Sequence, residues 1–521
     1  MGMERASRRA AAVATLRAHD AWRPLALAAV ALVSIAGYLA LHPLAPAGLA
    51  GHASPVALLV VALGLPYALA CWLLLAAPGP RAVSWRRVEW GVLISGALLF
   101  RLLVLPLPPL LSPDAYRYLW DAQVTAHGFS PYLHGPAWPG FSALRDPRYY
   151  AHVPWPQAPT IYPPVAQALF RLAYAIVPHN VWAIKTEMVL FDLLAGAVLM
   201  LLLLGRGQDP RRAFIALWAP LPVVEFALNG HVDAAAIAFT LLALLASQQR
   251  FRGARTLAGV LLGIATLIKL YPIVCVVAIV RRRDWALWGA LGATVLLGYA
   301  PFWRDGLAAT GFLSTYLTQM HNNYGGALLL IRWVAYHMGL SAKVVQLTGA
   351  AAAMVGLGGI AWLRARASGG VQLAAAARPM AGALRRLRAL DARLPGWLCL
   401  ESAAAMCACI VLWLAVSPHV FPWYTTALLP FSALFLGLPA RRTALALGVW
   451  SICCMIPLAY VAFEQPALRW LYPATYLASI AVALGALAAP RLMRARPGSA
   501  VSRAGIREVA ASLEIERTVT G

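Results

Sequence analysis

Long apolar runs separated by arginine clusters constrain the fold of this 521-residue chain more than any other feature. A helix needs roughly 20 apolar residues to cross the hydrocarbon core of a bilayer. Runs close to that length recur between Pro24 and about residue 489, and the chain is 61% hydrophobic and only 12% charged. The predicted fold class is therefore all-α, a polytopic transmembrane helical bundle of about 14 spans.

The distribution of basic residues predicts the orientation of this bundle. A net charge of +24 would suggest nucleic-acid binding in a soluble protein. Here most Lys and Arg residues fall on one side of the predicted spans, which is the pattern of cytoplasmic segments. We therefore expect a cytoplasmic N-terminus (1–23), a membrane domain (24–489) and a cytoplasmic tail (490–521), with no nucleic acid as partner. The arginine-rich segment 364–396 is expected to contact anionic lipid headgroups.

Two long outer loops are predicted, over 111–180 and 303–343. The segment 161–178 within the first is short and begins with two prolines, which favours an interfacial or re-entrant helix over a full span. Polar clusters that orientation does not explain gather on this outer side, among them His321 to Tyr324. A structural belt of aromatic residues would occupy both interfaces. The one-sided gathering therefore indicates a site for a polar, sugar-like and phosphate-bearing ligand.

Asp114 is the candidate catalytic residue. It directly follows Pro113 at the end of an apolar segment, which restrains its backbone and can aim its carboxylate at the membrane surface. Such a carboxylate could remove a hydroxyl proton while a nearby cation stabilises a departing phosphate. The alternative is an ion pair with Arg117, three residues further along a helix.

Glu225 lies in an apolar helix, where an ionisable group is costly and indicates function. The alternative is that it pairs with a buried cation such as Arg101 or Lys185. With His231 and Asp233 it has the composition of a metal site, but the spacing matches no metal motif. All seven cysteines lie in apolar segments, which argues against disulfides or zinc.

Lys269 is one of three lysines and sits where a helix is expected to break before Pro272. It suits a phosphate as a point charge, or else it extends to the headgroups as an interfacial lysine. His419, Trp423 and Tyr424 lie among prolines. Their rings suit sugar stacking, or else they occupy ordinary positions in an interfacial belt.

Five segments on the predicted outer face carry a family resemblance. In chain order they read PDAYRYLWDAQVTAHGFSPY, TIYPPVAQALF, PLPVVEFALNGHVDA, IKLYP and SPHVFPWYTTALLP. Over about 90–435, the series resembles integral-membrane glycosyltransferases of the GT-C superfamily, in particular bacterial polyprenyl-phosphate-mannose-dependent mannosyltransferases. The resemblance implies inverting transfer of a sugar, with mannose expected, from a polyprenyl-phosphate donor to a hydroxyl of a glycolipid or glycan. It places this reaction on the periplasmic side of the bacterial inner membrane.

The resemblance also implies roles for individual residues. Asp114 takes the place of the catalytic base. The expected ligands of the donor phosphate are Arg117, Lys269, His231 and Arg332. The expected substrate contacts are Tyr116, Trp120, Asp121, Tyr162, Glu225, Asp233, Tyr271, His419, Trp423 and Tyr424. No cofactor or metal is expected, and the partners are the lipid-linked donor, the acceptor and membrane lipids.

The sequence is also compatible with two other functions. A transporter or flippase of lipid-linked sugars would also place aromatic and cationic side chains in a membrane cavity. It would need polar groups along a path to both faces, whereas the predicted inner half offers mainly orienting arginines. An inactive scaffold subunit is the third possibility. In the simplest family layout, the catalytic loop follows the first helix. This sequence departs from that layout, because two predicted helices precede the helix that leads into the loop.

Overall fold

The computed structural model describes residues 2–49, 53–77, 79, 80, 82–313, 315, 325–367, 401–438 and 440–488. Within these ranges the regular elements are α-helices with short 3-10 and π-helical pieces, and none is a strand. The predicted all-helical class is therefore confirmed for the described residues. The tail 490–521, most of the segment 364–396 and the cluster His321 to Tyr324 lie outside them.

Six described helices are long and apolar enough to cross a membrane. They are Ala21–Pro46, Ala53–Ala76, Val181–Leu204, Trp285–Thr310, Ala342–Arg366 and Pro466–Ala488. The number rises to eight if two broken pairs each form one span, namely Pro220–Leu228 with Asp233–Gln248 and Arg442–Met455 with Leu458–Glu464. Two shorter apolar helices are Ala254–Ile268 and Ser402–Val416. A membrane protein is thus supported, whereas the predicted count of fourteen spans and the orientation of the termini are not confirmed.

Prolines explain why several apolar runs do not form the single helices that the sequence predicts. The run 213–228 divides into short α-helical pieces and a π-helix, Val223–Leu228. Each proline in it removes a backbone N–H donor. The run 271–280 begins as the 3-10 helix Tyr271–Cys275, which holds Pro272, and continues as Val276–Ile279. The run 425–439 likewise changes from 3-10 to α-helix, at Leu429.

The prediction of a loop over 303–343 is wrong in part, because Gly326–His337 forms a helix within it. The other α-helices are Gly2–Leu39, Val83–Val104, Asp114–Ala126, Pro147–Tyr150, Pro164–Ile176, Phe214–Leu217, Pro220–Pro222, Trp285–Tyr299, Gly326–His337, Ala342–Ala367, Leu429–Phe435, Ala440–Met455 and Leu471–Ala488. The other 3-10 helices are His42–Ala47, Pro139–Leu144, Pro210–Ala213, Ala300–Thr310, Pro422–Leu428 and Pro466–Leu468. Pro164–Ile176 has only 13 residues, which is too short to span and agrees with the prediction for 161–178.

The chain divides into two compact units. The first comprises Met1–Leu119, Ile176–Ala234 and Ser432–Gly521, and the second comprises Trp120–Ala175 and Ala235–Phe431. The boundary at Leu119 falls inside the helix Asp114–Ala126, which we call the Asp114 helix.

Buried ion pairs fix the helices of the first unit. The Glu89 carboxylate accepts hydrogen bonds from Arg23 at 2.8 Å and from Arg211 at 2.9 Å. Arg101 donates from Nε to Asp192 at 2.8 Å. A buried charge is costly unless it is paired, so these partners need to stay together. The ion pairs therefore hold together helices that are distant in sequence.

Asp209 caps the short helix Pro210–Ala213 by accepting from the Arg211 backbone N–H at 3.0 Å. Burial would raise the pKa of Asp209, but the hydrogen bonds and charge of Arg211 outweigh it and hold that pKa below its ordinary value. A lowered carboxyl pKa means that the pair stabilises the fold at neutral pH. Its contribution is lost only when acidification passes through the lowered pKa.

Small residues allow close helix packing in the second unit. The helix Ala254–Ile268 packs against Trp285–Tyr299. A Cβ atom at Gly259 would lie only 2.4 Å from the Leu287 carbonyl oxygen, so only glycine fits this contact. Close approach of backbones at small residues is a common way for membrane helices to associate.

Candidate active site

Asp114 begins the Asp114 helix in the first unit. Its backbone N–H donates to Ser112 Oγ at 3.3 Å, and the Tyr116 N–H donates to the Pro113 carbonyl at 2.9 Å. The Asp114 side chain is 22% exposed. Asp114 is therefore an accessible carboxylate in a defined position at the start of a helix.

The π-helix Val223–Leu228 is completely buried and carries Glu225. Glu225 Oε1 accepts from the Tyr460 hydroxyl at 2.9 Å, and Oε2 accepts from Asn229 Nδ2 at 3.1 Å. In the part of the chain that the structure describes, Glu225 does not pair with Arg101 or Lys185, which is the alternative that the sequence leaves open. Arg101 binds Asp192, and Lys185 binds backbone carbonyls.

Asn229 and Lys185 hold the segment that leads into Asp114. Asn229 Oδ1 accepts from the N–H groups of Leu110 and Leu111 at 3.2 and 3.1 Å. Lys185 Nζ donates to the carbonyls of Leu105 and Leu107 at 2.7 and 2.5 Å. Buried backbone groups need such partners, and these bonds fix the chain just before the catalytic candidate.

His231 is fully buried between two carboxylates. Its Nε2 lies 3.3 Å from Glu225 Oε2, and its Nδ1 lies 3.8 Å from Asp114 Oδ2. Asp114 therefore meets Glu225 and His231, two predicted site residues far from it in sequence, in the first unit. Asp233, also buried, begins the next helix two residues later.

Gly230 makes this arrangement sterically possible. Its φ is +78°, a backbone conformation that side chains disfavour. A Cβ atom at this position would lie 3.1 Å from Lys185 Cγ and 3.3 Å from Ala115 Cβ. The turn that carries His231 therefore packs directly against the first residues of the Asp114 helix.

Other predicted substrate contacts stabilise Trp120–Ala175 of the second unit, a part of the predicted first outer loop that we call the outer-loop segment. Trp120 is buried and packs against Phe141 and Tyr150. Asp121 is also buried and accepts from Thr160 Oγ1 at 2.6 Å and from Gln167 Nε2 at 3.3 Å. These contacts connect the Asp114 helix to 160–167.

Tyr132 joins the same segment to Tyr162. Its hydroxyl donates to the Tyr162 carbonyl at 2.8 Å. Burial raises the pKa of Tyr132 far above its ordinary value, so the hydroxyl remains a neutral donor. This bond fixes the backbone of Tyr162, whose side chain reaches the cavity described next.

A cavity of about 120 Å³ in the second unit, which we call the Lys269 cavity, brings together five predicted site residues. Its lining includes Tyr162, Lys269, Tyr271, His419 and Tyr424. Lys269 Nζ lies 4.1 Å from the centre of the Tyr424 ring, in a cation–π contact. A cation surrounded by aromatic faces suits a phosphate together with a sugar ring.

The aromatic wall of the Lys269 cavity continues beyond these residues. Tyr271 stacks on Trp413 with 4.6 Å between ring centres, and Trp413 contacts Tyr424 at 5.4 Å. Trp423 is buried against Phe421, with parallel rings 4.6 Å apart. Trp423 thus supports the wall, and it is absent from the lining itself.

A larger cavity of about 670 Å³, the Arg332 cavity, lies in the same unit between the helices Gly326–His337 and Ala342–Ala367. Its lining is mostly apolar, with Arg332 among its few polar residues. Pro418 lines both this cavity and the Lys269 cavity. A polar pocket therefore adjoins an apolar one.

Comparison with known families identifies the chain. A family model described as alpha-(1→6)-mannopyranosyltransferase, N-terminal domain, matches residues 23–283, which is half of the chain. The chain belongs to this family. The predicted resemblance to mannosyltransferases is thereby confirmed, and the protein is a glycosyltransferase of a mannosyltransferase family. The comparison with curated proteins found no match.

The family match contains Asp114, Glu225, His231 and Lys269, whereas Arg332 and the aromatic residues near His419 lie beyond it. Among the described residues, no group of three or more His, Cys, Asp or Glu side chains is arranged to hold a metal. Arg117 is buried within the Asp114 helix. Its predicted role with phosphate, like those of the other site residues, stays a prediction.

Sequence reasoning missed two residues that contribute to these sites. Tyr460 binds Glu225 but lies in an apolar helix 235 residues further along the chain. Trp413 forms part of the aromatic wall but sits within the apolar helix Ser402–Val416. Neither has a local polar motif, so no signal in the sequence alone distinguishes them from lipid-facing or core residues.

Proposed function

We propose that this protein transfers a mannosyl group from a polyprenyl-phosphate-linked donor to a hydroxyl of a glycolipid or glycan. The family supplies the sugar and the reaction type. The donor class, the acceptor and the periplasmic side of a bacterial inner membrane are proposals. The distribution of Lys and Arg along the sequence, which predicts one inner side and gathers the polar clusters on the other, supports that orientation.

In the proposed reaction, Asp114 acts as the general base. It takes the proton of the acceptor hydroxyl as the acceptor oxygen bonds to C1 of the sugar. The bond from C1 to the phosphate oxygen breaks, and its electron pair leaves with the phosphate. Attack from the face opposite the phosphate inverts the configuration at C1. The partly exposed carboxylate at the start of a helix supports this role for Asp114.

The pairing of a polar and an apolar cavity is the observation that carries the donor class. A polyprenyl-phosphate sugar has a charged head and a long hydrocarbon tail. The Lys269 cavity offers a cation and aromatic rings for the head, whereas the Arg332 cavity offers apolar walls for the first part of the tail. A nucleotide sugar would leave the apolar cavity without a matching group.

Replacing Lys269 with Met is expected to raise the donor KM by about 10- to 100-fold, because a charge-assisted hydrogen bond contributes about 1.5–3 kcal/mol. Lys343→Met is the matched control, since Lys343 is exposed and lies outside the lining of both cavities. Initial rates over a range of donor concentrations provide the measurement. An unchanged donor KM in the Lys269 variant would exclude this lysine as a phosphate ligand.

The direct test is sugar transfer by the purified full chain in nanodiscs. Donors would be polyprenyl-phosphate mannose, polyprenyl-phosphate glucose and a water-soluble nucleotide mannose, with a membrane-lipid extract as the source of acceptor. We expect transfer from polyprenyl-phosphate mannose alone, and the same rate with EDTA present. Transfer only from the nucleotide sugar would contradict the proposed donor, and a loss of activity in EDTA would contradict the expected metal-free reaction.

A further inference from the structure

We infer that His231 is the positioning residue for Asp114, with Glu225 as the group that fixes the His231 ring. This inference rests on the proposed function, because it takes Asp114 as the base. One ring nitrogen of His231 faces each carboxylate, at 3.8 Å from Asp114 Oδ2 and 3.3 Å from Glu225 Oε2. The imidazole therefore bridges a buried carboxylate and an accessible one.

Two neutral side chains other than His231 bind the two carboxylate oxygens of Glu225. The Tyr460 hydroxyl donates to one oxygen and the Asn229 amide to the other, at 2.9 and 3.1 Å. Both donors are neutral, so neither offsets the charge of a carboxylate that is fully buried. Because a buried charge is costly unless it is compensated, the adjacent imidazole is the group suited to supply the compensation.

The backbone places the His231 ring beside Glu225. The His231 N–H donates to the Glu225 carbonyl at 2.9 Å, which closes a wide turn after the π-helix. Asn229 binds Glu225 through its amide nitrogen and the segment before Asp114 through its oxygen. The stretch 225–231 thus fixes the His231 ring, the Glu225 carboxylate and the segment that leads to Asp114.

With a proton on each ring nitrogen, the imidazole donates toward both carboxylates. Its charge then offsets one of the two negative charges, and it attracts Asp114 Oδ2 across 3.8 Å, a distance of electrostatic attraction and not of a hydrogen bond. Asp114 takes the proton of the acceptor hydroxyl. After transfer, Asp114 can release this proton to water, because its side chain is 22% exposed whereas His231 and Glu225 are fully buried.

This placement changes the role that the sequence predicts for His231, which is a ligand of the donor phosphate. A phosphate bound at this ring would lie close to two carboxylates, and the repulsion between like charges would oppose binding. The cations outside this cluster, such as Lys269 and Arg332, have no such carboxylate pair in their cavity linings. His231 is therefore expected to affect the rate of transfer and not the affinity for donor.

The test compares His231→Gln and Glu225→Gln with wild type, using the full chain in nanodiscs and polyprenyl-phosphate mannose as donor. For each variant, kcat, donor KM and the thermal unfolding midpoint would be measured. His42→Gln is the matched control, because His42 is half-buried in the same unit and its Nε2 lies 2.9 Å from the Leu103 carbonyl oxygen, away from this cluster. Glu225→Gln keeps the size of the side chain but removes its charge, so it tests the same bridge if His231→Gln does not fold.

We expect kcat to fall about 10- to 100-fold in both variants, with donor KM within about threefold of wild type. The control should keep the wild-type kcat. A wild-type kcat in His231→Gln would overturn the inference and leave the proposed function intact, as would a raised donor KM with kcat unchanged. If both variants of the bridge fail to fold, His231 and Glu225 act structurally, and the inference is again overturned. Absence of transfer by wild-type protein would instead overturn the proposed function, and this inference with it.

Discussion

Mannosyl transfer is expected to fall by about 10²- to 10⁴-fold when Asp114 is replaced with Asn. The two side chains have nearly the same shape, but an amide oxygen is too weak a base to take the hydroxyl proton. An amide can also occupy the start of a helix, since Asn is accepted there as readily as Asp. The measurement is the initial rate at saturating donor, together with the thermal unfolding midpoint of each purified protein.

Asp146→Asn is the matched control for this substitution. Asp146 also lies at a helix start, in the outer-loop segment, and accepts from the Arg148 N–H at 3.0 Å. Asp146 is not among the residues that line the Lys269 cavity. Equal transfer by wild type and Asp114→Asn would exclude Asp114 as the base, whatever the control does.

The kinetic form of the defect separates a base from a binding residue. Loss of a group that acts only in the transition state lowers kcat and kcat/KM together, whereas loss of uniform binding raises KM with kcat unchanged. We expect the first result for Asp114 and the second for Lys269. A flippase would give a different outcome, namely translocation of lipid-linked sugar in liposomes without any transferred product.

Hydropathy predicts the long uninterrupted helices well, because burial in a bilayer imposes one requirement on every residue of a span. Hydropathy predicts a span over about 181–204, and the helix Val181–Leu204 matches it at both ends. The runs that contain internal prolines are predicted less well. In 213–228, the loss of N–H donors at Pro220 and Pro222 divides one expected helix into several pieces and leaves a π-helix.

The sequence selects the ionisable residues of the site but not their partners. Asp114, Glu225 and His231 are recognisable because charged or titratable groups in an apolar chain are costly. Their contacts depend on the three-dimensional packing of separate helices, and the Tyr460 hydroxyl that binds Glu225 comes from a helix 235 residues away. Local pattern contains no information about such a pairing.

Burial separates residues that look alike in sequence. Trp120 and Tyr424 are both aromatic residues near a charged residue. Trp120 packs inside the outer-loop segment, whereas Tyr424 lines the Lys269 cavity beside a cation. Asp121 and Asp114 are both aspartates of the Asp114 helix, but Asp121 is buried and accepts hydrogen bonds from Thr160 and Gln167. Only the packing reveals which member of each pair can meet a ligand.

A second large effect is expected on stability, at the buried carboxylate of Glu89. This side chain is fully buried and accepts from Arg23 and Arg211 at 2.8 and 2.9 Å. Arg211 also binds Asp209, so two guanidinium groups and two carboxylates form one nearly neutral cluster. Removing one carboxylate leaves an excess positive charge in a site with little access to water.

Glu89→Gln is therefore expected to lower the free energy of unfolding by about 3–5 kcal/mol, the usual cost of removing one partner from a buried ion pair. Denaturant titration of the purified protein in a single detergent provides the measurement. Adding Arg23→Gln to this variant should recover part of the loss, because the second substitution removes the charge that the first left unpaired.

Glu187→Gln is the matched control, since it makes the same chemical change in the same unit. Neither carboxylate oxygen of Glu187 has a hydrogen-bond partner among the residues that the structure describes, so no ion pair is lost and stability should be unchanged or higher. A Glu89→Gln protein as stable as wild type would mean that the cluster adds nothing to the fold. Equal losses in both single variants would attribute the effect to the amide itself and not to the broken ion pair.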